Sequence, residues 1–232
     1  MEQEERKDFE IKMPKPKNIN KIISLLKKET KQFENPIATE IGERTRSPFQ
    51  VLISCIMSLR TKDTTTGPAA KRLFKLAKTP EEMLKLPKKQ IEKAIFPVGF
   101  YPTKAKYIKK TCKILIDKYD GKVPDKEEEL LKLPGIGRKC MGIVMCFGFF
   151  KTGYLPIDTH CHRIPNRLGW IKTKNPEQTE DALKKMLPKK YWKDFNNIFV
   201  TFGQNICLPT SPLCSQCPIN TYCPKIGVLR RR

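Results

Sequence analysis

Apolar residues recur at intervals of three and four along most of this chain, with charged residues between them. In residues 103–119 the apolar positions are Ala105, Ile108, Cys112, Leu115 and Tyr119. Lysines occupy the opposite face, and this periodicity is typical of an amphipathic α-helix. Similar patterns predict further helices over residues 18–33, 47–59, 67–77, 175–187 and 191–206.

The helix starts and the missing strand pattern define the predicted fold class. Several periodic segments begin at Ser, Asn or a nearby Pro, which favour the first turn of a helix. The sequence has no sustained period-two alternation with hairpin turns, so it predicts an all-α fold of about ten short helices. We find no repeat of fixed period, and composition alone marks no domain boundary.

The excess of positive charge indicates that the protein binds a polyanionic partner. The 232-residue chain is long enough for one large core or two smaller ones, and it carries 46 Lys and Arg against 24 Asp and Glu, a net charge of +22. Such an excess favours nucleic acid as the partner, whereas a solvated basic surface or membrane contact is the alternative.

The sequence also lacks the features of a membrane or secreted protein. No stretch approaches the roughly 18 consecutive apolar residues of a membrane-spanning helix. Residues 1–18 are charged and contain prolines, so they resemble neither a signal peptide nor a helix. We therefore expect an intracellular protein, in the cytoplasm or nucleoid (the nucleus in a eukaryote), with a disordered N-terminus and no membrane partner.

The stretch LPGIGRKC, residues 133–140, separates a leucine-rich helical segment from an apolar one. Pro134 ends the first helix, and Gly135 and Gly137 give the backbone the freedom for a sharp reversal. The free N–H groups at the start of the second helix can bind an anion such as a DNA phosphate. A plain helix-to-helix turn is the alternative.

Lys139 lies in the first turn of that second helix. The positive end of the helix dipole disfavours a protonated ammonium there, and partial burial would lower its pKa further. A partly neutral lysine is a nucleophile able to form a Schiff base. An ordinary solvated surface charge is the alternative reading of Lys139.

Nineteen residues after Lys139, Asp158 precedes another helical segment. An aspartate there caps the helix, and the capping bonds would hold the carboxylate ionised. An ionised Asp158 close to Lys139 could orient an attacking amine and stabilise positive charge on a sugar. His160 and His162 are not expected to bind metal, because residues two positions apart on a helix do not face each other. Pro165 should kink this helix or end it early.

Four of the nine cysteines, Cys207, Cys214, Cys217 and Cys223, are clustered near the C-terminus. Four thiolates on a short loop can hold either zinc or an iron–sulfur cluster. Only the middle pair has the short spacing usual for zinc, so the spacing favours iron–sulfur. The cluster is expected to be structural. The other five cysteines lie in apolar contexts and are interpreted as buried residues.

Together these features resemble the endonuclease III family of the helix–hairpin–helix DNA glycosylase superfamily, over about residues 20 to 225. The matching stretches are PFQVLISCIMSLRTKD, VGFYPTKAKYIKKTCKIL, GKVPDKEEELLKLPGIGRKC, IDTHCHRIPNRL and the four-cysteine loop. The resemblance implies two helical lobes with the active-site cleft between them. Residues 41–151 would form a six-helix barrel domain that includes the helix–hairpin–helix. Residues 1–40, a tail and a first helix, and residues 152–232 would form a domain with a [4Fe–4S] cluster.

The resemblance also implies a DNA base-excision repair glycosylase with apurinic/apyrimidinic (AP) lyase activity on oxidised pyrimidines such as thymine glycol. Lys139 would attack C1′, expel the base and leave a Schiff base, after which β-elimination nicks the strand. Asp158 would assist base loss. The four cysteines would bind the cluster, and the partner would be double-stranded DNA with damaged bases or abasic sites, bound by a monomer.

Other members of the superfamily differ at these positions. Relatives that only remove bases carry another residue at the position of Lys139, and adenine-specific relatives need a glutamate in the first barrel helix, which SCIMSLRTKD lacks. A monofunctional or mismatch-type glycosylase and a non-catalytic DNA-binding module remain the alternatives.

Further DNA contacts follow from the resemblance. The expected contact residues are Gly135, Ile136, Gly137 and Arg138 in the hairpin, and Arg60, Phe100, Tyr101, Lys104, His160 and Arg163 elsewhere. The family's prototype has glutamine at the position of Arg60 and leucine at that of Phe100. Arg60 and Phe100 are expected to fill the gap left by an extruded nucleotide. Ordinary core packing is the alternative for Phe100.

Overall fold

The computed structural model describes residues 18–232, and all regular secondary structure in that part of the chain is helical, with no β-strand. The prediction of an all-α fold is therefore confirmed. The predicted disordered tail falls almost entirely on residues 1–17, which lie outside the described residues.

Twelve α-helices follow one another in the described chain. They are α1 (Ile19–Thr30), α2 (Ile37–Thr45), α3 (Pro48–Ser58), α4 (Asp63–Leu76), α5 (Pro80–Lys85), α6 (Lys88–Ile95), α7 (Tyr101–Tyr119), α8 (Glu127–Leu130), α9 (Arg138–Ile143), α10 (Thr159–Arg167), α11 (Pro176–Met186) and α12 (Trp192–Asn205). A π-helical turn, Val144–Gly148, continues α9, and short 3₁₀ turns cover Lys189–Tyr191, Cys214–Gln216 and Asn220–Tyr222.

The six helices predicted from apolar spacing correspond to α1, α3, α4, α7, α11 and α12. Helix α4 begins at Asp63, four residues before the predicted start, and includes Pro68 in its interior. Helix α10 likewise extends to Arg167 past Pro165, which lies near its C-terminal end. Proline removes one backbone hydrogen bond from each helix, and the buried face of each helix offsets that cost.

One hydrophobic core collects apolar side chains from Ile37 to Phe147. Helix α3 is the most buried helix of this core, because eight of its 11 residues are buried: Phe49 and every residue from Val51 to Met57. A helix that is apolar nearly all round must be surrounded by others. Helices α2, α4, α7 and α9 pack around α3.

A second core joins the start of the described chain to its end. Helix α1 packs on α12, and the cluster continues from Leu155 to Ile219. The Phe195 and Phe199 rings stack at its centre, with centroids 3.9 Å apart. The chain therefore leaves this core after α1, builds the first core, and returns to the second.

The two cores meet close to the starts of α9 and α10. A Cβ atom added to Gly142 would lie 3.2 Å from Pro156 Cβ, so glycine permits the close approach of the two segments. The Gln204 side chain donates to Asp63 across the same boundary, at 3.1 Å. These contacts position the sequence-predicted site residues. None of the helices within residues 18–232 combines the length and the apolar character that crossing a membrane requires.

Candidate active site

The hairpin before α9 depends on two glycines for different reasons. Gly135 has a φ of +77°, and a Cβ atom there would lie 2.9 Å from Tyr107 Cδ2, so both the backbone and the packing require glycine. Gly137 caps α9 in an extended conformation, and an added Cβ would meet no atom within 4 Å. The turn is therefore packed on one side and open at Gly137. Ile136, between them, is buried.

Lys139 is the second residue of α9 and is partly buried. Burial, the largest single effect, lowers its pKa, but the Asp158 carboxylate and weaker charges at Cys140, Cys55 and Asp63 together raise the pKa above its ordinary value. The prediction of a lysine kept partly neutral is therefore wrong for the unbound protein, because nearby negative charge outweighs desolvation. Lys139 is an ammonium ion at neutral pH.

Asp158 caps α10 as predicted. Its Oδ1 atom accepts hydrogen bonds from the backbone N–H groups of His160 and Cys161, both at 2.8 Å. Because both capping bonds use Oδ1, the cap does not depend on Oδ2. Of the charges that raise the pKa of Lys139, that of Asp158 has the largest effect.

A pair of buried cysteines lies next to Lys139. The interaction of Cys140 with Cys55 on α3 lowers the pKa of the Cys140 thiol despite its burial. The sequence indicated only that these two cysteines would be buried. Cys140 follows Lys139 directly, but nothing in the sequence links either residue to Cys55.

Arg60 and Phe100 form a cation–π pair on the surface. Arg60 follows α3, Phe100 precedes α7, and the guanidinium carbon lies 5.3 Å from the ring centroid. Both residues have positive φ angles, +54° and +57°. Phe100 is 61% exposed, which excludes the alternative of core packing. We call Arg60 and Phe100 the wedge pair.

Two residues near the wedge pair that were predicted to contact DNA, Lys104 and Tyr101, pack against other parts of the protein. Lys104 is only 3% exposed, and its ammonium donates to Met57 O at 2.7 Å, to Leu59 O and to Thr61 Oγ1 at 2.9 Å. The prediction that Lys104 contacts DNA is therefore wrong. Burial lowers the pKa of Lys104 to about 8. Tyr101 is partly buried, and its ring packs edge-on against Phe96 with centroids 5.5 Å apart.

Arg138 is half-exposed, and its guanidinium pairs with two carboxylates of α11. It lies 3.3 Å from Glu180 Oε2 and 3.6 Å from Asp181 Oδ1. These ion pairs connect α9 to the second core. A phosphate that binds Arg138 would have to compete with them.

His160, Arg163 and His162 belong to hydrogen-bond networks within the protein. Arg163 contacts His160 Nδ1 at 3.0 Å and donates to the carbonyl oxygens of Gly203 and Cys207, at 3.2 and 2.6 Å. His162 Nδ1 lies 2.6 Å from Thr179 Oγ1. The Arg163 guanidinium therefore joins α10 to the end of α12, and the DNA contacts of His160 and Arg163 stay predictions.

The four clustered cysteines line one cavity beside the second core, floored by Ile164, Phe202 and Ile206. None of the four forms a disulfide. Across residues 18–232, no three His, Cys, Asp or Glu side chains are arranged to hold a metal ion as they stand. Arg167 donates to Cys207 Sγ at 3.3 Å and to the carbonyl oxygens of Leu208 and Pro209, at 2.7 and 2.6 Å. Burial raises the pKa of Cys217 to about 11.

Comparison with known proteins places this site in a family. Residues 53–189 match the model of the HhH-GPD superfamily of base excision DNA repair proteins. The chain is 49% identical over 182 residues to Endonuclease III of Thermotoga maritima, a match that covers 78% of this chain and 85% of that protein. It is 39% identical over 224 residues to Endonuclease III homolog 2, chloroplastic, of Arabidopsis thaliana, covering 90% of this chain and 58% of that protein.

The fold supports the same assignment. The structure of a trapped Endonuclease III–DNA covalent intermediate, an estranged-adenine complex, superposes with a TM-score of 0.81 at 31% identity, covering 92% of this chain and 97% of that one. The fold and site thus define a base excision DNA repair protein of the HhH-GPD class. Within that class, the chain belongs to the endonuclease III family of glycosylases and AP lyases.

Proposed function

We propose that this protein removes oxidised pyrimidines, such as thymine glycol, from double-stranded DNA and nicks the strand through a Schiff base on Lys139. The observation that carries the proposal is that the Asp158 charge raises the pKa of Lys139, at the boundary of the two cores and next to the open turn at Gly137. The lysine and the carboxylate come from separate segments, α9 and the start of α10.

The reaction begins with loss of a proton from Lys139. The neutral amine attacks C1′, the C1′–N bond breaks, and the proton released by Lys139 is available to the departing base. The Asp158 carboxylate stabilises positive charge as it develops on the sugar. The C1′–O4′ bond of the sugar then breaks, O4′ takes up the proton lost from the attached amine, and the open-chain sugar is held to Lys139 as a Schiff base. The Schiff base acidifies the C2′ hydrogen, which leaves as a proton, and β-elimination breaks the C3′–O bond, so the 3′ phosphate departs with the downstream strand.

A base inside a duplex must be extruded before Lys139 can reach its sugar. Arg60 and Phe100 are the residues proposed to fill the gap. They are exposed, adjacent and held in the same conformation on two neighbouring loops. The target nucleotide would lie between a barrel domain of residues 41–151 and a second domain of residues 1–40 and 152–232. The separate hydrophobic cores support this division.

We also propose that Cys207, Cys214, Cys217 and Cys223 hold a [4Fe–4S] cluster. Their thiols are unpaired and line one cavity, and Arg167 places a positive charge next to Cys207 Sγ, which favours an anionic sulfur. The cluster would link a loop with little apolar content to the second core. Protein purified without oxygen should contain iron and absorb broadly near 400 nm, as expected for thiolate-ligated iron–sulfur.

The proposed partner is duplex DNA that contains a damaged base or an abasic site, bound by a monomer inside the cell. The net charge of +22 supports this partner, because neutralisation of phosphates releases counterions. The open surface at Gly137 is the candidate site of phosphate contact, next to the amide groups that begin α9.

Borohydride trapping tests the proposed reaction. Reduction of the Schiff base should link the wild-type protein covalently to an oligonucleotide that contains thymine glycol, and Lys139→Gln should abolish the linkage. Lys132→Gln is a matched control, since Lys132 lies in the same hairpin but pairs with Glu129 on the surface. Base release without trapping by the wild type would indicate a monofunctional glycosylase. Duplex binding without base release would indicate a DNA-binding module.

A further inference from the structure

Lys104 is a buried charge with no part in the proposed chemistry. It lies in the first turn of α7, and lysine is rarely buried unless its ammonium is fully hydrogen-bonded. An ammonium has three N–H donors, and Lys104 uses three acceptors: two backbone carbonyl oxygens and one hydroxyl. The buried site is therefore built for this cation.

The three acceptors all belong to the segment that carries Arg60. Met57 is in the last turn of α3. If the helix continued, the Thr61 N–H group would donate to Met57 O, but it donates to Ser58 O instead. Met57 O is thus one of the carbonyl oxygens that a helix C-terminus leaves free. Lys104 satisfies it at the negative end of the helix dipole, together with Leu59 O.

The same lysine is also connected to the loop that carries Phe100. The backbone N–H of Lys104 donates to Phe100 O at 3.0 Å. A second connection between the two loops lies beside it. Gly99 N–H donates to Thr61 Oγ1 at 3.2 Å, and the same oxygen accepts a hydrogen bond from the Lys104 ammonium. Lys104 and Thr61 therefore fix the two loops to each other.

The two loops need such support because both wedge residues have positive φ angles. That conformation is uncommon for residues other than glycine, asparagine and aspartate, and it persists only where the surrounding structure holds it. We propose that Lys104 is a positioning residue for DNA recognition, whose buried ammonium holds Arg60 and Phe100 side by side so that they enter the duplex as a unit. The inference rests on the proposed function of the wedge pair in nucleotide extrusion.

The test measures how strongly the protein prefers a duplex with a tetrahydrofuran abasic analogue over the same duplex without it. Lys104→Met keeps the unbranched chain, one atom shorter, but leaves Met57 O and Leu59 O without the ammonium donor. This preference should fall about 10- to 100-fold, as expected when positioned groups are displaced. The fluorescence of 2-aminopurine opposite the analogue, which reports unstacking by the wedge pair, should fall as well.

Lys109 offers a matched control on the same helix. Its ammonium also bonds to backbone carbonyl oxygens, those of Leu84 and Leu86, at the end of α5 and away from the wedge pair. Lys109→Met should lower the melting temperature by removing equivalent bonds but leave the preference for the abasic analogue within about twofold. If Lys104→Met does not fold, Thr61→Val removes the shared hydroxyl and should give a smaller loss in the same direction.

A double-mutant cycle distinguishes positioning from general stability. In an Arg60→Ala/Phe100→Ala background there is no wedge pair to position, so Lys104→Met should cause no further loss of preference. Additive losses, an unchanged preference in Lys104→Met, or an equal loss in Lys109→Met would each overturn the inference. These are binding measurements, so they stand even if trapping at Lys139 fails, and the two proposals can be rejected separately.

Discussion

At the scale of single residues, the state of Lys139 follows from opposing effects of burial and charge. Burial alone would favour a neutral amine, but the net shift of its pKa is upward because Asp158 and weaker charges stabilise the ammonium. In the proposed reaction, Asp158 would therefore oppose deprotonation of Lys139 while its charge favours the positive charge that develops on the sugar. Substitution of Asp158 should separate these two effects.

We predict that Asp158→Asn lowers the pKa of Lys139. The carboxylate is the largest of the charges that raise this pKa, and burial, which lowers it, remains. Cleavage of a preformed abasic site depends on neutral Lys139, so its rate should rise with pH through a lower midpoint than in the wild type. Single-turnover rates of abasic-site cleavage between pH 6 and pH 10 would measure the shift. A midpoint equal to or above that of the wild type would contradict it.

The same variant should affect base release more than strand cleavage. Loss of the Asp158 charge is expected to slow release of thymine glycol by about 100-fold, within the usual range for a positioned carboxylate, because the sugar then lacks its stabilising anion. Cleavage of a preformed abasic site does not need that step, so its rate at high pH, where Lys139 is neutral in both proteins, should fall less. Equal losses in the two assays would show that Asp158 does not act at base loss.

Arg60 provides a separate prediction about the base opposite the lesion. A guanidinium has only hydrogen-bond donors, whereas a glutamine amide has both donors and an acceptor. Arg60 should therefore favour an opposite guanine, which offers acceptors at O6 and N7, over adenine. Rates on duplexes that differ only in the opposite base should show this preference, and Arg60→Gln should reduce it by about tenfold, a loss of roughly one good base contact. An Arg60→Gln variant with the wild-type preference would disprove the assignment.

Some of the candidate site residues could be predicted from the sequence. Its motifs identified Lys139, Asp158, the wedge pair and the cysteine cluster, because each lies in a short and recognisable segment. The burial of Lys104 was not predicted. Its acceptors lie 43 to 47 residues earlier in the chain, and in a strongly basic protein nothing local distinguishes a buried lysine from a solvated one.

At the scale of elements, the hairpin before α9 is tightly packed at one glycine and open at the other. Gly135 has a left-handed backbone and packs against Tyr107, whereas Gly137 has an ordinary extended backbone and no neighbour at its missing side chain. Protein packing therefore explains the first glycine but not the second. Close approach of a DNA backbone would explain Gly137.

We predict that alanine at these two positions has different effects. Gly135→Ala should lower the free energy of unfolding by about 1 to 3 kcal/mol, because it forces a strained φ and a contact with Tyr107. Gly137→Ala should unfold like the wild type but bind duplex DNA about tenfold more weakly, as expected when one charged hydrogen bond is lost. Denaturant titrations and binding isotherms would separate the two effects. If Gly137→Ala destabilised the fold but left DNA binding unchanged, Gly137 would be required for packing and not for DNA contact.

Apolar spacing predicted the long helices, whereas the short helices that the sequence did indicate were recognised from turn and capping residues instead. Helix α7 spans 19 residues and repeats its apolar spacing several times, whereas α5 has six residues and α8 has four. A helix of one or two turns has too few positions to show a period. The capping residue Thr79, followed by Pro80, was the available local signal for α5.

At the scale of the whole molecule, the two hydrophobic cores are built from different parts of the chain. The apolar clusters divide near Ile37 and Leu155, whereas the family resemblance gave boundaries near residues 41 and 151. The sequence carries no change of composition there, so only the fold reveals which helices share a core. The candidate site lies at this boundary because α9 belongs to the first core and α10 to the second.

The most direct measurement is to identify the residue that becomes attached to DNA. Wild-type protein should be trapped with borohydride on abasic DNA, digested, and analysed by peptide mass spectrometry. We predict that the reduced sugar is attached to Lys139 and that Lys139→Gln yields no adduct while it retains affinity for the duplex. An adduct on another lysine, or efficient trapping of Lys139→Gln, would contradict the account.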